Sequence, residues 1–173
     1  MSRKNETTKI GWYVKGLFLL LICGSVNLCA QENPPRPISI FVNPAQGLSF
    51  GAFVHGNSGG SVIVYANGSR QVTGSVISAN LGYSFSPAIF EVDAEPGVLV
   101  TISNGPDVTL NGSNGGSMIL HIGESSLGSP FIATAVSPAR TQLRIGGTLT
   151  VGNSLANPPG NYNGTFSVTF IQQ

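Results

Sequence analysis

The chain has 173 residues with eight Lys+Arg and seven Asp+Glu, but every lysine, both cysteines and the single tryptophan fall within residues 1–30. The other 143 residues hold four arginines (36, 70, 140, 144) and six acids (32, 91, 93, 95, 107, 124), a net charge of −2. Charge this sparse excludes a basic nucleic-acid groove and a charged disordered tail, and a segment without cysteine cannot be a disulfide scaffold.

Residues 1 to 15 are polar and basic, and Leu17 to Cys23 form an unbroken apolar run. Small residues follow, ending Leu28-Cys29-Ala30-Gln31. This order is that of a secretory signal peptide, with cleavage expected after Ala30. The run of seven is far short of the ~20 residues that a membrane span needs, so no stable span is expected in the mature form. The rival reading attaches a lipid at Cys23 or Cys29, but neither cysteine follows the small residues such a site uses. Residues 31–37 are read as a flexible lead into one domain over 38–173.

From Ile38 onward, short β-branched and aromatic runs alternate with Gly, Pro, Asn and Ser, and no window sustains the helical apolar spacing. Strands are expected near 38–42, 48–54, 61–66, 71–78, 88–92, 99–103, 107–110, 117–122, 131–136, 142–151 and 165–171. The fold class is therefore all-β, an antiparallel immunoglobulin-like or pilin-like sandwich of about 9–11 strands. Ile38, Ile40 and Val42 alternate at its start. Phe166, Val168 and Phe170 alternate with Thr165, Ser167 and Thr169 at its end, the mark of one buried and one solvated face. The tract Asn157-Pro158-Pro159-Gly160-Asn161 reads as a rigid turn. A Gly-Ser-Val-Ile echo at 60–63 and 74–77, looser at 116–119, reads as repeated use of a Gly-Ser turn before a strand.

Three constellations invite a chemical reading. His55-Gly56-Asn57-Ser58-Gly59-Gly60 contains G-x-S-x-G, and Ser58, Asp93 or Asp107, then His121 follow a hydrolase order. A serine nucleophile needs a base and a group to orient it, and in such enzymes the turn joins a strand to a helix. Here a strand-like Ser-Val-Ile-Val-Tyr follows, so a glycine-rich hairpin turn is the simpler account. Glu91, Asp93 and Glu95 could share a strand face and collect Ca²⁺ through oxygen ligands, but read more simply as solvated acids at a strand end. Asn67-Gly68-Ser69, Asn111-Gly112-Ser113 and Asn163-Gly164-Thr165 fit the N-glycosylation pattern, and each Asn-Gly pair is also a hairpin-turn pair. Three hairpins are expected there and no glycan. Of the tyrosines, Tyr83 and Tyr162 are the candidates for ligand contact.

Leu48-Ser49-Phe50-Gly51, Gly59-Gly60-Ser61-Val62, Ala88-Ile89-Phe90-Glu91-Val92, Pro96-Gly97, Gly146 to Val151 and Pro159 to Phe166 run in order across the chain. Together they resemble the secreted bacterial family called domain of unknown function 4402. Asp93-Ala94 departs from it where a glycine is expected. The resemblance implies an immunoglobulin-like sandwich similar to spore-coat U proteins and chaperone–usher pilins, and brings no catalytic residues. Gly160 stands fourteenth from the end, as a glycine does in pilins, but Gln172 replaces their penultimate aromatic and their cysteine pair is missing. The Ala-Gln cleavage site is similar to those common in Bacteroidetes, which implies a place beyond the inner membrane.

The expected function is that of a secreted, non-catalytic surface or pilus-like structural protein. Its candidate strand-pairing residues are Ile38, Ile40, Val42, Phe166, Val168 and Phe170, and its expected partners are other copies or other surface proteins. The alternative is a monomeric module binding a glycan or a host surface, and hydrolysis at Ser58 is a remote third. No catalytic residue, cofactor, metal or nucleic-acid partner is expected.

Overall fold

Alternation of β-branched and aromatic side chains with Ser, Thr and Gly produces strands and no helix among the residues that the computed structural model describes, 36–42 and 46–173. The expected leader, with Cys23 and Cys29, lies outside the described residues, as do residues 31–35 of the lead. Thirteen strands follow one another among those described. They are β1 (Ser39–Val42), β2 (Ser49–Phe50), β3 (Phe53–Val64), β4 (Arg70–Ser78), β5 (Phe85–Ser86), β6 (Ala88–Asp93) and β7 (Leu99–Asn104). Then come β8 (Val108–Gly112), β9 (Ser117–Ser125), β10 (Phe131–Ile132), β11 (Thr141–Val151), β12 (Tyr162–Asn163) and β13 (Val168–Gln172). The count exceeds the expected 9–11 because β5 and β12, with two residues each, are too short for a periodic signal.

All strand pairing is antiparallel. The large sheet is organised around β11. Along one edge its first half pairs with β6 and its second half with β3, while β9 runs along the other. The change of partner falls at Gly146, where an added Cβ would meet the backbone of Val64 to Ala66. Outward from this spine, β6 leads to β1, β3 to β4, and β9 through β8 to β12. A second sheet runs β10-β7-β13, and β2 pairs with β5.

The core lies between the two main sheets. Alternate residues of the spine, Leu143, Ile145, Leu149 and Val151, are buried with Val62 and Val64, Phe90 and Val92, and Met118, Leu120 and Ile122. The small sheet contributes Val100 and Phe131, with Val168 and Phe170 half-buried against the cluster. Phe90 of β6 meets Phe166 and Phe170, with ring centroids 6.5 and 5.5 Å apart, and so joins the two sheets. Removing aliphatic and aromatic surface from water in this way is the main stabilising term.

Two expectations about glycine are corrected. His55 to Gly60 is not a hairpin turn, because β3 runs through it as a bulge: His55 pairs with Val76, and Gly60 with Gly74. Four residues of β3, 56–59, thus oppose Ser75 alone. Gly59 and Gly74 have φ of +67° and +65°, conformations open to glycine, and an added Cβ on Gly60 would strike the Thr73 carbonyl. Of the three Asn-Gly pairs, Asn67-Gly68 does form the β3–β4 hairpin. Asn111-Gly112 ends β8 and leads into the β8–β9 hairpin, whose turn is residues 113–116, whereas Asn163-Gly164 leaves β12 for the other sheet. The last two glycines serve packing, since a Cβ there would strike the Tyr162 ring or the Leu110 side chain.

Candidate functional site: the free strand edges

β1 is the terminal strand of its branch of the large sheet, with β6 as its one neighbour, and β13 closes the small sheet with β7 as its one neighbour. In an antiparallel pair, successive residues turn their backbone groups alternately toward and away from the partner. On β13 the phase is fixed at both ends, because Gly105 N–H donates to the Ser167 carbonyl (2.9 Å) and Gln173 N–H to the Leu99 carbonyl (2.9 Å). Ser167, Thr169, Ile171 and Gln173 therefore bond to β7. Val168, Phe170 and Gln172 direct N–H and C=O away from the sheet. On β6, Ile89 N–H donates to the Gln46 carbonyl (3.2 Å), so Ile89, Glu91 and Asp93 face β1. Phe41 and Ser39 answer the last two, which leaves Ile38, Ile40 and Val42 with outward backbone groups.

The structure brings the sequence candidates to two places. Ile38 immediately precedes β1, and Ile38 and Ile40 are half-buried against the core. Val168 and Phe170 lie in β13, while Phe166 precedes it and packs on Phe90. The expected alternation holds: Phe166, Val168 and Phe170 are half-buried, and Thr165, Ser167 and Thr169 are exposed.

Side-chain electrostatics gather at β1. Arg36 donates to Asp93 (2.9 Å), and Arg140 donates to Glu91 (3.1 Å) with its guanidinium 3.5 Å from the centre of the Phe41 ring. All four ionised side chains are a quarter to two-fifths exposed, so each ion pair contributes roughly 0.2–1 kcal/mol after solvent screening, and the stack a similar amount.

A third edge went unnoticed in the sequence. β4 pairs with β3 alone and, at nine residues, is longer than β1 or β13. Gly74, in the left-handed region, interrupts it at mid-length, which is how an exposed edge is kept from pairing with foreign strands. β13 has no such interruption.

The rival constellations are placed as follows. Ser58 is exposed in the β3 bulge. His55 Nε2 donates to the Asn157 carbonyl (2.9 Å), and no hydrogen bond joins Ser58 to a histidine among the described residues. His121 bonds through Nδ1 to Asp107 (2.7 Å), but it stands opposite Thr148 on β11. Ser58 lies beyond the pairing of Gly60 with Val151, three residues further along that strand. Glu91 and Asp93 are each engaged by an arginine. Tyr83 is 69% exposed beside Leu81, whereas Tyr162 is half-buried and donates its hydroxyl to the Pro158 carbonyl (2.7 Å). Burial of Arg70 against Phe85 pushes its guanidinium below the usual arginine pKa.

Sequence reasoning missed Asn157, which is 1% exposed and fixes the end of the sandwich where these loops meet. Its amide oxygen accepts from Gly152 N–H, and its amide nitrogen donates to the carbonyls of Ser117 (2.6 Å) and Ala156 (3.0 Å). A polar residue between Ala156 and a Pro-Pro pair was the one signal available.

No curated protein and no solved structure matches the chain. A family model matches residues 40–171, from within β1 to within β13. The chain belongs to the family described as Domain of unknown function (DUF4402).

Proposed function

We propose that the chain is an exported, non-catalytic surface or pilus-like structural protein that associates through its free strand edges. The observation that carries this reading is β13, an uninterrupted edge strand of five residues with the outward backbone groups of Val168, Phe170 and Gln172 in a row. An added strand pairs with such an edge through main-chain hydrogen bonds, and alternate side chains set its register. The family resemblance, which implies a sandwich similar to those of spore-coat U proteins and chaperone–usher pilins, suits the same role. Export rests on the basic, apolar and small-residue order of the first 30 residues, and it places the protein in the periplasm, on the outer surface or outside the cell. Low charge adds to the case, because a surface with few like charges repels its own copies weakly.

The reading is tested by Gln172→Pro. This change removes one outward N–H of β13 while leaving the bonds to β7 in place, and proline is tolerated at a strand edge. Electron microscopy and light scattering of the purified protein are expected to show filaments or oligomers for the wild type and their loss in the variant. Filaments of unchanged length and abundance in a folded Gln172→Pro protein would exclude β13 as the joint.

A further inference from the structure

β1 is a short strand clipped in place by charge. It has four residues and one neighbour, and its inward residues Ile38 and Ile40 are only half-buried. Residues 31–173 hold only ten charged side chains, and both arginine–carboxylate pairs among the described residues converge here, Arg36 on Asp93 and Arg140 on Glu91. The edge of β6 therefore asks for a particular strand. That strand needs a cation at its start to meet Asp93 and an aromatic opposite Glu91 to receive Arg140. Its aliphatic residues must alternate with these so as to face the core.

We propose that β1 is an exchangeable strand, so that the β6 edge accepts β1 of a second copy of this chain in place of its own. This deepens the reading of edge-mediated association and rests on it. The partner is identified by complementarity: another copy brings the same Arg36, Ile38, Ile40 and Phe41 in the same register, Ser39 to Asp93 and Ile40 to Val92. Exchanged and unexchanged β1 make identical contacts with β6, so protein concentration rather than new chemistry sets the balance between them. Besides its ladder with β6 and the half-buried Ile38 and Ile40, β1 is held by partly exposed ion pairs, so salt speeds the exchange by screening them. β13 then offers a second edge on which exchanged copies continue to associate.

The test uses the 173-residue chain carrying Cys23→Ser and Cys29→Ser, which leaves no thiol in it. Ile40→Cys is introduced in one population and Val92→Cys in another, and the two are mixed and oxidised with diamide. A disulfide-linked heterodimer is expected. Its yield rises with protein concentration, and its rate of formation increases about two- to five-fold in Arg36→Gln or in high salt. The double variant Ile40→Cys/Val92→Cys in one chain controls for folding and geometry by closing within the monomer at high dilution. Ser39→Cys with Asp93→Cys, the neighbouring register pair, serves if the buried Val92 position does not tolerate the change. Absence of the heterodimer from both pairs, or failure of both double variants to close, overturns the proposal. Light scattering on the same mixtures separates it from the broader reading. Large species without the heterodimer overturn exchange and leave association through β13 standing, whereas monomers alone overturn both.

Discussion

Asn157 is nearly inaccessible to water, yet its whole amide group is bonded. A buried amide without partners is costly, so this side chain holds its loop only because Gly152, Ser117 and Ala156 meet it together. Asn157→Ala is expected to lower unfolding free energy by about 2–4 kcal/mol in urea titrations, because Gly152 N–H and the Ser117 carbonyl lose their partner. In Asn157→Asp, an ionised carboxylate cannot donate to those carbonyls. Its folded-state pKa is raised, so the stability that the protonated acid contributes is present at low pH and lost as pH rises. That variant should be more stable near pH ~4 than at pH ~7. The role of Asn157 could not be read from sequence, because its bonds reach 40 residues back to Ser117 while its carbonyl accepts from His55, 102 residues away. Two glycines separate two different physical needs. Gly60 avoids a collision with the Thr73 carbonyl, whereas Gly68 has open space around it but φ of +87°. Gly68→Ala should cost about 1 kcal/mol through conformation alone, and Gly60→Ala clearly more, both measured by thermal unfolding.

The elements easiest to read from sequence were those with one dry and one wet face. Phe166 to Thr169 alternated in composition and alternate in burial, and Ile38 to Ile40 do the same, whereas Phe41 is exposed beneath Arg140. β11 was legible as a strand, but its exchange of β6 for β3 at Gly146 was not, since one local pattern serves both partners. The Gly-Ser-Val-Ile echo proved to lie in two strands that pair, with Gly60 directly opposite Gly74. It reflects a bulge built from both sides and not two successive turns. The same bulge breaks the long β4 edge, while β13 stays regular. This contrast makes β13 the strand best placed to accept another, and it gives Gln172→Pro its force as a test.

For the molecule as a whole, separating the first 30 residues from the rest altered the meaning of its charge. The net positive total comes from residues 1–30, and the described residues form a sandwich whose few arginines mostly serve its own structure. Arg36 and Arg140 clip β1, and Arg70 packs on Phe85 and donates to the Ala52 carbonyl (3.0 Å). Fold class and the two strands that hold the candidate residues were legible because burial imposes period two on the sequence. The outward row of backbone groups was not, because it depends on which neighbour each strand takes. Hydrogen–deuterium exchange at single amides, followed over a protein concentration series, tests the central claim of association through β13 most directly. At low concentration, Val168, Phe170 and Gln172 should exchange fast while Thr169, Ile171 and Gln173 are protected by β7. As concentration rises, the first three should become protected as well. Oligomers that form while Val168, Phe170 and Gln172 continue to exchange freely would contradict it.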